Sequence, residues 1–138
     1  MADPTTWLHL DTSVIVRYLT NDPPDMAERA GRIIEGPVAV IVSEVVLVET
    51  AYVLTTVYGI ARADVVDALV SFIQRRNVRL LGLPKRAAVE ALQACRTSKR
   101  ISFVDAVLWA QARHSGSPRI CTFDARFPQV GVDLIRPT

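Results

Sequence analysis

Four acidic side chains, Asp11, Glu49, Asp105 and Asp124, stand where neither a core nor an ordinary polar surface accounts for them. Asp11 follows an apolar run at residues 7–10, and the carboxyl ends of strands are where open parallel sheets bind ligands. Asp124 follows a second run at 120–122 and so projects from the same rim. Glu49 falls inside a helical pattern whose neighbours three and four residues away are Val45, Val46, Tyr52 and Val53. Read as core-facing, that stripe imposes a desolvation cost on a carboxylate unless it is paired or bound to a cation. Asp105 repeats the pattern on a face shared with Ile101, Leu108 and Trp109. Each acid has a plainer alternative: Asp11 as a helix N-cap, Asp124 as a turn residue, Asp105 as capping partner to Ser102. Taken together, the four point to one shared site.

Clustered carboxylates raise one another's pKa unless a cation compensates them. An all-oxygen set without His or Cys suits Mg²⁺ or Mn²⁺. Such an ion lowers the pKa of a bound water and steadies charge on a phosphoryl group in transit. Asp11 and Asp105, short side chains at a strand end and early in a helix, are the expected primary ligands.

The charges are unevenly placed along the chain. Residues 1–74 hold four basic and ten acidic side chains, and residues 75–138 hold twelve basic and four acidic ones. Fourteen of the sixteen basic residues are Arg, whose planar fork matches phosphate, so a polyanionic partner is expected. Arg96, Lys99, Arg100 and Arg126 flank the acidic residues and are the candidates to steer it. The plain alternative is solvated helix surface with a compositional preference for Arg.

These residues need a scaffold, and its elements alternate along the chain. Helical patterns are predicted at 14–19, 25–35, 43–57, 62–75, 84–95 and 102–115, and strands at 7–10, 38–42, 78–81, 120–122 and 132–135. Ser43 and Ser102 read as N-caps, and Gly59 and Gly116 as helix stops. Strand–helix alternation in 138 residues predicts one α/β domain with a mainly parallel sheet and helices on both faces. Half of the residues are hydrophobic, enough for a sizeable core. Cys95 and Cys121 match no disulfide or zinc spacing. The longest wholly apolar stretch, 37–42, is far short of the roughly 20 residues of a membrane helix. The start Met-Ala-Asp-Pro-Thr-Thr lacks signal-peptide character, so a cytoplasmic protein is expected.

The sequence resembles a known family. Asp11-Thr12-Ser13-Val14-Ile15-Val16-Arg17-Tyr18-Leu19 is similar to the opening motif of PIN-domain ribonucleases, especially the VapC toxins of toxin–antitoxin pairs. Val46-Leu47-Val48-Glu49 with Tyr52-Val53-Leu54 resembles the second acidic motif, Ser102-Phe103-Val104-Asp105-Ala106 the third, and Thr122-Phe123-Asp124-Ala125-Arg126-Phe127 the fourth. The resemblance implies a three-layer α/β/α sandwich over residues 1–138, Mg²⁺ or Mn²⁺ dependence, and endonucleolytic cleavage of single-stranded RNA. Asp11, Glu49, Asp105 and Asp124 would form the acidic site, and Arg96, Lys99, Arg100 and Arg126 the RNA contacts. Many relatives carry a further acid where this chain has Ser102, and the sequence departs from the family pattern there. An antitoxin segment covering the acidic site is implied as well. Because helices 45–57 and 65–73 carry more apolar surface than a small core needs, a homodimer is also expected.

Other readings fit less well. A haloacid-dehalogenase-type phosphatase needs a second Asp where Ser13 stands, and Lys85 and Lys99 follow no apolar strand as a receiver domain requires. Nucleotide-binding glycine fingerprints are absent. His9 and His114 read as structural. The remaining alternative is a catalytically inactive PIN-like module that binds RNA or protein.

Overall fold

A computed structural model describes residues 3–138; Met1 and Ala2, part of the start read above, lie outside the described residues. After a short 3-10 turn at Pro4–Thr6 come β1 (Leu8–His9), α1 (Thr12–Thr20), α2 (Pro24–Ile34), β2 (Val40–Val42), α3 (Glu44–Thr56) and α4 (Arg62–Ile73). The second half adds β3 (Val78–Leu80), α5 (Lys85–Ala94), α6 (Phe103–His114), β4 (Arg119–Cys121) and β5 (Asp133–Ile135). Every predicted element is present, most of them trimmed or shifted by a residue or two, while α1 is longer than its pattern and begins at Thr12.

The local signals account for the boundaries. Ser43 Oγ accepts the Val46 amide at the start of α3, and Ser102 Oγ accepts the Asp105 amide at the start of α6. Gly59 and Gly116, with φ of +64° and +84°, end the two helices in the left-handed region that glycine enters without steric cost. Pro84 occupies the N-cap position of α5.

All strands pair in parallel. The first three form a sheet in the order β1-β2-β3, with Leu8 opposite Val40 and Val40 opposite Val78. β4 and β5 form a separate two-stranded ladder, with Ile120 opposite Leu134. The period-2 alternation puts Val40, Val42 and Val78 into the core and leaves His9, Ile41 and Arg79 on the other face. The architecture is the α/β/α arrangement with a parallel sheet. Packing runs α2 on α1, α1 on α3, α3 on both α4 and α6, and α5 on both α4 and α6.

The two long apolar helices divide. α4 buries Val65, Val66, Leu69, Phe72 and Ile73 completely or nearly so, which absorbs its apolar surface in the monomer. α3 is apolar all round, so its pattern does not mark which side meets the core. The buried stripe is Leu47, Thr50, Ala51 and Leu54, not the one containing Glu49. Glu49 is exposed, flanked by Val45 at 76% and Tyr52 at 62% exposure. The expectation that Glu49 faces the core is therefore corrected: Val45 and Tyr52 beside it are surface, and Val46 and Val53 are half-buried.

No helix among the described residues is long and apolar enough to cross a membrane.

Candidate active site

β1 and β2 end level with one another: Leu10 donates its amide to Ile41 O at 2.9 Å, and Leu81 donates to Val42 O at 3.1 Å. Asp11, Ser43 and Gly82 thus leave the sheet on one rim. Asp11 is the N-cap of α1, as the plainer reading had it, and is also exposed on that rim. Its Oδ2 accepts the Ser13 hydroxyl at 2.6 Å and the Ser13 amide at 3.2 Å. The hydroxyl first, then the amide, hold the Asp11 carboxyl below its usual range, so it is an anion at neutral pH.

α1 packs against α3, and Thr12 closes the gap between the first two acids. Buried Thr12 donates through Oγ1 to Glu49 Oε2 at 3.1 Å. This bond fixes one oxygen of Glu49 beside the residue that follows Asp11. Thr12 was not singled out from the sequence, where it reads as an ordinary first-turn residue. Glu44, five positions earlier, is bound away from the site: its carboxylate accepts the Gly82 amide at 2.8 Å and the Leu83 amide. A Cβ at position 82 would meet Glu44 Oε1 at 2.7 Å, so any larger residue there would displace the Glu44 carboxylate.

Asp105 sits half-buried in the first turn of α6. Ser102 caps the helix through its own oxygen, and among the described residues the Asp105 carboxylate accepts no hydrogen bond. It lies close enough to Cys95 to oppose ionisation of that thiol, which burial foremost pushes up to about 11. The segment before it is anchored by Arg62, whose Nε donates to Cys95 O at 2.7 Å and whose terminal nitrogen donates to Ile101 O. The Arg62 guanidinium also lies 4.5 Å from the centre of the Phe103 ring. Arg62 is 33 residues from Cys95 and 39 from Ile101, so residue types alone do not reveal this anchor.

Asp124 folds on itself. Its Oδ1 accepts the Arg126 amide at 2.8 Å and its own amide donates to Thr122 Oγ1 at 3.0 Å, the turn geometry named as its alternative role. Buried Ile120 and Phe127 pin the two ends of this loop, and Trp109 Nε1 donates to Val130 O at 2.8 Å beneath it.

The structure therefore links the Asp11 and Glu49 motifs directly. Among the described residues no three His, Cys, Asp or Glu side chains converge on one point where they could hold a metal. A Mg²⁺ ion does not require three: it takes one or two carboxylates and fills the rest of its sphere with waters and substrate phosphates. The donors present, all carboxylate oxygens with Asp11 anionic and exposed, fit that chemistry.

All four basic candidates, Arg96, Lys99, Arg100 and Arg126, are exposed. Arg96 also pairs with Asp67 at the surface, through Nε at 2.9 Å and a terminal nitrogen at 3.0 Å. That pairing was invisible in the sequence because the partners are 29 residues apart.

The PIN-domain family model matches residues 8–133. No curated protein matches the chain.

Proposed function

The chain belongs to the PIN-domain family, generally metal-dependent nucleases, and we propose on that premise that it is an endoribonuclease cutting single-stranded RNA as the toxin of a toxin–antitoxin pair. The observation that carries the reading is the Thr12–Glu49 bond, which joins the first two acidic motifs on the rim of the sheet. Asp11 would hold the divalent ion, Mg²⁺ or Mn²⁺, with Asp105, Glu49 and Asp124 around it; when bound, the ion supplies an acidified water and charge neutralisation at the phosphorus. Ser13 holds the Asp11 carboxylate in place, and Thr12 fixes one oxygen of Glu49. Lys99, Arg100 and Arg126 would hold the phosphates on either side of the cut.

The exposed apolar groove between α3 and α6, about 560 Å³ and lined by Val45, Tyr52, Val104 and Leu108 beside Glu49, suits a second copy of this chain. An antitoxin segment would enter the cleft with an Arg or Lys among the carboxylates, replacing the ion's charge.

The test is cleavage of unstructured RNA in Mg²⁺ or Mn²⁺. Asp11→Asn keeps its size and hydrogen bonding, so the expected outcome is an intact fold with cleavage lost by at least a hundredfold, taking a metal ligand to be worth ~3 kcal/mol in the transition state. Cleavage by Asp11→Asn at the wild-type rate overturns the assignment.

A further inference from the structure

A second cationic feature lies away from the acidic residues, along the edge strand β3. Two adjoining cavities, of about 550 and 420 Å³, share Trp7, Arg76 and Arg79 and together make one trough. It starts where the strands begin, at Trp7, Ala39 and Arg75, and follows β3 to Leu83 and Lys85. Four cations line it, and neither cavity has an Asp or Glu among its described lining residues.

The cations are held there without internal compensation. Arg79 packs its guanidinium 4.7 Å from the Trp7 ring centre. Four buried side-chain nitrogens among the described residues have no hydrogen-bond partner, and three of them, Trp7 Nε1, Arg75 Nε and Arg79 Nε, belong to this trough. Lys85 donates to Arg75 O at 2.8 Å, which holds its ammonium among the arginines. Burial, then the Arg79 charge, lower the Lys85 pKa, the mark of a cation lacking an anion. Arginines packed together with unmet donors and no carboxylate are a site for an anion. Two joined cavities, rather than one closed pocket, suit an extended polyanion with an aromatic surface for a base.

We propose that this trough is a binding track for single-stranded RNA, its phosphates held by Arg75, Arg76, Arg79 and Lys85 and a base placed against Trp7. The track ends at Leu83, whose amide is bonded to Glu44 at the start of the helix bearing Glu49. RNA lying along β3 is thereby led from the far end of the sheet to the acidic rim. The proposal rests on the ribonuclease reading for its ligand class but not for its measurement.

The experiment is fluorescence anisotropy of the full chain with a labelled oligouridylate in EDTA, where no cleavage contributes. Each lost phosphate contact on a single strand lowers the salt slope by ~0.7, which at ~0.1 M salt is about fivefold in affinity. The double variant Arg75→Gln/Arg79→Gln should bind about 25-fold more weakly, with the slope reduced by ~1.4. Should that variant fail to fold, the exposed Arg76→Gln should bind about fivefold more weakly. The control Arg32→Gln, which loses only its pair with Glu28 on α2, should stay within twofold. RNA binding by the folded trough variants within twofold of wild type overturns the proposal, as does preference of the wild type for polyglutamate over the oligonucleotide. Weakened binding with a wild type that cleaves nothing in Mg²⁺ or Mn²⁺ removes the nuclease reading and leaves the track standing. Normal binding by the variants of a cleaving enzyme does the reverse.

Discussion

Replacing Arg62 by Met tests whether one side chain holds the segment leading to Asp105. Arg62 begins α4 and donates to two carbonyls of the α5–α6 connection, Cys95 O and Ile101 O. Cys95 is the C-cap of α5, so its carbonyl is one of the groups a helix leaves unsatisfied at its end. A hydrogen bond to a charged donor contributes ~1.5–3 kcal/mol net, and a half-exposed guanidinium belongs at the low end. Two such bonds give about 3 kcal/mol, and the stack on Phe103 adds ~0.5–1 kcal/mol. Met keeps the aliphatic packing and loses the rest. The expected destabilisation is therefore about 3.5 kcal/mol, or a Tm lower by about 10–15 °C for a domain of this size. Arg62→Lys, which can serve only one carbonyl at a time, should lose about half as much. The assay is urea unfolding followed by far-UV circular dichroism, with equal m-values confirming a common unfolded state. A loss under ~1 kcal/mol for the Met variant, or a Lys variant as stable as wild type, refutes the anchoring role.

Cys95 and Cys121 should separate under a thiol reagent: at pH 8 the exposed Cys121 reacts and buried Cys95 does not, until the chain is unfolded. Because the folded Cys95 pKa, about 11, lies above the unfolded value, its contribution to stability is complete below pH ~8.5 and declines as pH rises through 11; a Cys95→Ala variant should show a flatter alkaline stability profile. Asn77 donates to Ile34 O at 2.6 Å, tying the end of α2 to β3, and Asn77→Ala should cost about 1–2 kcal/mol in the same urea assay. Charge reversal of exposed Lys99 and Arg100 to Glu should flatten the salt dependence of RNA binding by ~1.4 in log–log slope, and an unchanged slope counts against their role.

What could be read from the sequence was local. Ser43, Ser102, Gly59 and Gly116 mark helix ends through bonds and dihedrals reaching only a few residues, so the element order followed from them. The face of α3 could not be read, because a helix apolar on every side gives no periodic contrast. The Thr12–Glu49 bond spans 37 residues, the Arg96–Asp67 pair 29 and the Arg62–Ile101 bond 39, and nothing in the residue types reveals such partners. Asp11 shows the two kinds of legibility together. Its capping role is written in the three residues Asp11-Thr12-Ser13, whereas its place beside Glu49 exists only once α1 lies on α3.

The division of the strands into two ladders bears on how the acidic residues act together. Asp11 and Glu49 belong to the three-stranded unit, while Asp124 rides on the β4–β5 pair, which no backbone ladder joins to β1. Side-chain packing by Ile120 and Phe127, α6 against β4, and the Trp109–Val130 hydrogen bond couple the two. Under the reading proposed above, the fourth carboxylate is thereby positioned against the other three through side-chain contacts, so a cavity cut at Ile120 or Phe127 would loosen it and leave the Asp11–Ser13 cap in place.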